Sequence, residues 1–238
     1  AGRRSGKTTL AIREMCHQAT QPNQNIWYVT SSYRSAKMIA FKQLKEVLLD
    51  LNWVEKINES ELMVTLKNGS QISLKGSDKN GGGANLRGVR LTYCVIDEAA
   101  YVDGTVFYEV IRPALADSQG GCLIISTPAG KSNWFFDVFQ KEKEDPQNWK
   151  SFQFTTQQGG FVATEEIEQA KTELSQSQFN QEFNATFENL GSQIAYAWDR
   201  DTHIKEKEKL NTRELHIGLD FNISPSTAAI MVRDKDDL

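Results

Sequence analysis

The sequence is poor in the residues that staple or metallate small folds. Its three cysteines, Cys16, Cys94 and Cys122, are far apart and form no CxxC pair. That argues against a disulfide framework or a zinc ribbon and fits a reducing compartment. The three histidines, His17, His203 and His216, show no metal-ligand spacing. No apolar run approaches the roughly 20 residues needed to cross a bilayer, so no transmembrane helix and no membrane partner are expected. The opening residues lack the order of a secretory leader. Neither sign of charge dominates: 27 Lys+Arg against 31 Asp+Glu leave a formal charge of −4. Affinity driven by bulk positive charge is thereby excluded, but a local basic groove on an acidic protein is not. No aromatic-interleaved basic patch, internal repeat or low-complexity tract stands out.

What is present is an ordinary globular composition, with 39% hydrophobic and 24% charged residues. At 238 residues the chain makes one large domain or one and a half. It opens at Ala1 without a methionine and closes on polar DKDDL, so both ends are expected to be cut from a longer chain. A Gly-rich loop runs into a helix over 1–20, with Leu10, Ile12, Met15 and Cys16 on one face. NIWYVTS (25–31) reads as a buried strand. A helix follows near 35–50, with Met38, Ile39, Phe41, Leu44, Val47, Leu48 and Leu51 at helical spacing. LMVTLKNGSQISL (62–74) reads as a hairpin closed by the two-residue pair Asn68-Gly69. After the Gly-rich stretch 76–88 come a strand (91–97), a helix (104–117), a strand (121–127) and a helix (130–143). That alternation predicts an α/β fold with a mostly parallel sheet flanked by helices. Helices broken near Ser175-Gln176 fill 163–187, a charged linker covers 200–214, and two strands joined at Ser224-Pro225 fill 215–234.

Four segments carry chemistry. AGRRSGKT (1–8) fits the phosphate loop GxxxxGK[ST], with Ala1 in place of the first glycine. Backbone N–H groups at such a helix start cradle phosphates, Lys7 reaches the β- and γ-phosphates, and Thr8 offers its hydroxyl to Mg²⁺. Taken alone, the same residues also read as a Gly-containing helix start. LTYCVIDEAA (91–100) is an apolar strand ending in two carboxylates. Asp97 suits a Mg²⁺ site, and Glu98 suits polarisation of the attacking water. Alone it is a strand followed by an acidic cap; together with the phosphate loop it points to ATP hydrolysis. In LIISTPAG (123–130), Ser126 and Thr127 sit at a strand end where ligands of open α/β sheets bind, or form a plain turn. Asp220 in HIGLDFN (216–222) is either a metal-binding carboxylate within an apolar strand or a surface-facing one. Arg3 and Arg4 lie inside the phosphate loop, and Arg87 follows the glycines as either an arginine finger or a solvated side chain.

Taken together, GRRSGKT, YVTSSYRSAK, the NGSQI hairpin, LRG before VIDEAA, STPAG and GLDFN resemble the large terminase subunit of tailed double-stranded DNA bacteriophages. The resemblance implies a P-loop ATPase domain over 1–155 that lacks its first strand. It also implies a helical linker region over 156–212 and the truncated start of an RNase H-like nuclease over 213–238, with the remaining nuclease carboxylates beyond Leu238. Gly2, Arg4, Ser5, Gly6, Lys7, Thr8 and Thr9 would hold ATP, and Thr8 and Asp97 its Mg²⁺. Glu98 would activate water. Arg3 would match the loop arginine of catalysis or phosphate sensing, and Arg87 the finger reaching a neighbouring subunit. Ser126 and Thr127 would couple hydrolysis to DNA movement. Asp220 would match the first carboxylate of the nuclease, which takes Mg²⁺ or Mn²⁺. The function implied is an ATP-driven motor that packages viral double-stranded DNA into procapsids and cuts concatemers. Its implied partners are DNA, the portal protein, the small terminase subunit and further copies in a ring. Its implied place is the cytoplasm of the infected bacterium, docked transiently on the procapsid.

Two other readings share part of this evidence. A helicase or translocase without nuclease activity has the phosphate loop and Asp-Glu strand, but needs a second ATPase-like domain, of which nothing after residue 155 gives a sign. A nucleotide-dependent switch or assembly protein does not need a carboxylate at Glu98.

Overall fold

The computed structural model describes residues 1–77 and 88–188 and two later strands, 215–220 and 227–232. The first compact unit, Ala1–Ser192, is built on a six-stranded sheet. Its strands are β1 (Asn25–Thr30), β2 (Val54–Asn58), β3 (Met63–Leu66), β4 (Gln71–Gly76), β5 (Tyr93–Ile96) and β6 (Gly121–Ile124), in the order β2-β3-β4-β1-β5-β6. Strands β4, β1, β5 and β6 are parallel, and β2 and β3 add an antiparallel edge. The sheet is thus mixed, parallel where the site lies.

Alternation along β1 builds a core on each face. Ile26 and Tyr28 pack with Ala11, Ile12 and Met15 of helix α1 (Lys7–Gln18). Trp27 and Val29 pack into the other cluster, with Val106, Phe107 and Ile111. Helices on both faces explain why NIWYVT reads as an unbroken apolar run.

Helix α2 starts at Tyr33–Ser35, widens to π geometry over Ala36–Phe41 and continues as α over Lys42–Asp50. The wide turns rotate the helix against an ideal repeat. Ala36, Ala40, Phe41, Leu44 and Leu48 face the core, while Met38, Val47 and Leu51 of the expected face are exposed, as is Leu10 in α1. A similar widening, over Val106–Ile111, precedes Arg112–Ala116 in α3. There Pro113 has no N–H to give the preceding turn, so the ladder is broken locally while the helix carries on.

The hairpin forms where expected, with a different turn. The Gly69 amide donates to Leu66 O (2.9 Å) and the Leu66 amide to Ser70 O (2.8 Å), so three residues make the loop. Gly69 alone of the Asn-Gly pair takes a left-handed conformation (φ 82°). The Asn68 side chain instead accepts from the Ser70 amide (3.0 Å) and donates to Ala19 O (2.8 Å). Strand β2 carries no sequence signal strong enough to predict it. It is a half-exposed edge with a register shift between Val54 and Lys56.

Helix α4 (Trp134–Glu144) follows β6. Three shorter helices complete the unit: α5 (Thr156–Gly159), α6 (Thr164–Glu173) and α7 (Gln176–Glu182). The expected break near Ser175 is the N-cap of α7, where the Ser175 hydroxyl accepts from the Gln178 amide in a capping box. In the second unit, Gln193–Leu238, β7 (Leu215–Asp220) and β8 (Thr227–Val232) pair antiparallel, with Asp220 opposite Thr227. The Ser224-Pro225 turn and the charged 200–214 linker lie outside the described residues.

Candidate nucleotide site

Helix α1 begins without a cap. Gly6 precedes it at φ 87°, no side chain accepts from the first turn, and that turn holds no acid. A residue with a Cβ at Gly6 would be strained and would meet the Phe161 ring at 2.7 Å. The free N–H groups and the helix dipole leave positive potential at this end. Ser5 adds a buried hydroxyl with no hydrogen-bond partner among the described residues.

Lys7 folds back over the loop. Its Nζ donates to Gly2 O (2.6 Å), Ala1 O (3.3 Å) and Thr127 Oγ1 (3.3 Å). Burial is the main cause lowering its pKa, and the Asp97 charge works the other way. Ala1 lies beside the end of β6, its amine donating to Ser126 O (2.9 Å). Arg4 and Thr9 are exposed, Arg4 with φ 52°.

Asp97 is 2% exposed and held from three sides. Its Oδ2 accepts from the Tyr28 hydroxyl (2.6 Å) and the Thr8 hydroxyl (3.2 Å), and its Oδ1 from the Glu98 amide (2.8 Å). Burial and the Asp97 charge both raise the Tyr28 pKa, so the phenol keeps its proton and donates. Glu98 sits in a left-handed conformation (φ 53°, ψ 38°), uncommon for a residue with a side chain. The turn behind it is pinned: Ala99 N donates to Ile125 O (3.1 Å), Ala100 N to Ser126 Oγ (3.2 Å), and the Asn133 amide group to Ala100 O (2.8 Å). The Glu98 carboxylate makes no hydrogen bond or ion pair with a described residue. Ser126 therefore supports the turn carrying Glu98, while Thr127 faces Lys7.

The helical segment after the sheet packs on the phosphate loop. Gly2 N donates to Phe154 O (2.8 Å), and the Thr156 hydroxyl to Arg3 O (2.8 Å). Arg3 N donates to Glu182 O (2.7 Å), and its guanidinium pairs with the Glu182 carboxylate. The neighbouring Gln181 side chain accepts from Gly130 N (3.2 Å) in the STPAG loop.

The fold thus gathers Gly2, Arg3, Ser5, Gly6, Lys7, Thr8, Asp97, Glu98, Ser126 and Thr127 at one sheet edge. Arg87 lies outside the described residues. Asp220 is described as the last residue of β7, in the other unit. Tyr28, Thr156, Gln181 and Glu182 also meet the site and are not predicted from the sequence. A polar hydroxyl inside the apolar run NIWYVT was the one signal available for Tyr28.

Comparison with known proteins identifies the family and the fold. Residues 1–201 match the family model "Terminase large subunit, T4likevirus-type, N-terminal". The large terminase subunit of Escherichia phage T5 is 26% identical over 242 residues, covering 97% of this chain and 54% of that protein. The chain thus spans about half the length of that relative. Among solved structures, the large terminase ATPase domain of Thermus phage P74-26 superposes with a TM-score of 0.66 at 25% identity, over 79% of this chain and 86% of that one. The large terminase of a thermophilic bacteriophage, solved with ATP-gamma-S, shares the fold with a TM-score of 0.66 at 18% identity, over 97% of this chain and 57% of that one. With most of its length matched by that family model, the chain belongs to the large terminase subunit family.

Proposed function

We propose that this chain is the ATP-hydrolysing motor part of a large terminase subunit, which drives viral double-stranded DNA into procapsids. The observation that carries the reading is the meeting of an uncapped, lysine-bearing helix start with Asp97 and with a Glu98 that has no hydrogen-bond or ion-pair partner among the described residues. A triphosphate would take the free N–H groups of α1, the unpaired Ser5 hydroxyl and Lys7, with Gly2, Arg4, Gly6 and Thr9 shaping the cradle. Thr8 and Asp97 would hold Mg²⁺: a hydroxyl and one carboxylate leave room for phosphate oxygens and waters, as Mg²⁺ prefers. When bound, the ion neutralises charge on the transferring phosphoryl group. Glu98 orients and activates the attacking water, and Arg3 senses phosphate. Arg87 acts as the finger that enters a neighbouring subunit of a ring. Ser126 and Thr127 join the turn behind Glu98 to the lysine, a physical route from hydrolysis to movement.

The domain plan accompanies this reading: ATPase over 1–155, helical linker over 156–212, and an RNase H-like nuclease from 213, with Asp220 as a Mg²⁺ or Mn²⁺ ligand. The portal protein, the small terminase subunit, further copies and DNA are the partners, in the cytoplasm of an infected bacterium and at the procapsid. Support comes from the T5 protein, named a large terminase subunit, and from the structure solved with ATP-gamma-S. ATP turnover by the purified full-length protein, wild type beside Lys7→Ala, tests the motor. Loss of at least about 100-fold is expected, since Lys7 is the half-buried cation that would meet the phosphates. Turnover close to wild type overturns the phosphate-loop assignment.

A further inference from the structure

Among the described residues, two side-chain atoms are buried without a hydrogen-bond partner: Ser5 Oγ, in the phosphate loop, and Thr30 Oγ1. Thr30 ends β1 and is 0% exposed. Its carbonyl is satisfied by the Ser77 amide (2.9 Å), so the hydroxyl is the part left over. Desolvating a hydroxyl without giving it a partner is costly. Valine would fill the same β-branched volume at no such cost. A threonine here implies a partner that arrives with a ligand.

The register says where that partner sits. Tyr28 is beside Val95 and Val29 beside Ile96 in the parallel pair β1–β5, and Asp97 N donates to Val29 O (2.8 Å). The next step of that register sets Thr30 beside Asp97. Neighbours in register point to one face, as do residues two apart on a strand. Thr30 therefore shares the face of Tyr28 and Asp97, whose side chains are joined at 2.6 Å. This face is covered by α1 and α2, and Asp97 on it also accepts from Thr8, the second residue of α1 after the phosphate loop.

We infer that Thr30 is a further polar residue of the nucleotide site, whose hydroxyl binds a water molecule at the strand ends beside Asp97 and Glu98. It is a positioning residue: it fixes a water handled by the two carboxylates and touches no phosphate. The inference rests on the ATPase reading above.

The test is Thr30→Val beside Thr30→Ser and Lys7→Ala in the full-length protein, with ATP turnover, binding of a fluorescent ATP analogue and thermal melting. Thr30→Val should lower kcat about three- to ten-fold, the worth of one hydrogen bond. KM and analogue affinity should stay within about two-fold, and the melting temperature should be unchanged or higher. Thr30→Ser should retain most of the turnover. Unchanged kcat in Thr30→Val overturns the inference. So does a clear fall in melting temperature, because the hydroxyl then has a partner in the fold. Full turnover in Lys7→Ala marks failure of the ATPase reading instead.

Discussion

Tyr28 shows how a single hydroxyl can set a buried carboxylate. Asp97 is buried, and an ionised carboxylate there needs donors. Thr8 and the Glu98 amide belong to the site itself, whereas Tyr28 reaches in from the next strand. Phenylalanine keeps the ring and its packing but removes the shortest of the three bonds. A hydrogen bond to a charged group is worth about 1.5–3 kcal/mol. Tyr28→Phe should therefore lower the melting temperature by about 3–10 °C. It should also raise the Mg²⁺ concentration needed for half-maximal ATP turnover, because Asp97 Oδ2 loses its fixed orientation. A melting curve and a Mg²⁺ titration check both; an unchanged titration would confine Tyr28 to stability. The residues legible in the sequence, Lys7, Thr8, Asp97 and Glu98, are those whose spacing along the chain is itself the chemical requirement. Tyr28 and Glu182 meet the site only through the fold, 69 residues from Asp97 and 179 from Arg3 respectively. No local pattern marks such partners.

Among the elements, α7 is the most informative. Its last two residues hold two different loops: Glu182 pairs with Arg3 of the phosphate loop, and Gln181 receives Gly130 N of the loop after β6. The sequence foretold a helix here and its polar break, since Ser175 and Gln178 form a local capping box. It did not foretell what the helix touches. In the same way the period of α2 was legible and its face was not, because the π turns over Ala36–Phe41 depend on packing. The Arg3–Glu182 pair is open to solvent on the arginine side, which is 67% exposed. Such a pair contributes about 0–1 kcal/mol, so Glu182→Gln should leave the melting temperature within about 3 °C. Its charge matters more for the ligand, because the carboxylate holds a loop arginine and would repel an incoming triphosphate. Glu182→Gln should lower KM for ATP several-fold, with kcat within about two-fold. A higher KM in steady-state assays would mean instead that Glu182 presents Arg3 to the phosphates.

For the molecule as a whole, the two units make separable claims. The sheet, the phosphate loop and α5–α7 lie together in Ala1–Ser192, and β7 with Asp220 lies in Gln193–Leu238. Every residue assigned above to nucleotide chemistry belongs to the first. A carboxylate ending a strand is no nuclease by itself, because two-metal cleavage needs several carboxylates converging from separate segments. The proposed cutting activity would therefore belong to the full-length protein, and is tested there by cleavage of a plasmid with Mn²⁺ or Mg²⁺, wild type beside Asp220→Ala. Metal-dependent cutting should fall by at least about 100-fold in the variant, since losing a metal ligand removes stabilisation of both attacking and leaving oxygens. ATP turnover should be unchanged, because Asp220 shares no unit with Lys7, Asp97 or Glu98. Loss of both activities together would make the two units interdependent. A wild-type protein that hydrolyses ATP and cuts nothing would make Asp220 a structural strand residue and leave a translocase without a nuclease as the reading that fits the same phosphate loop.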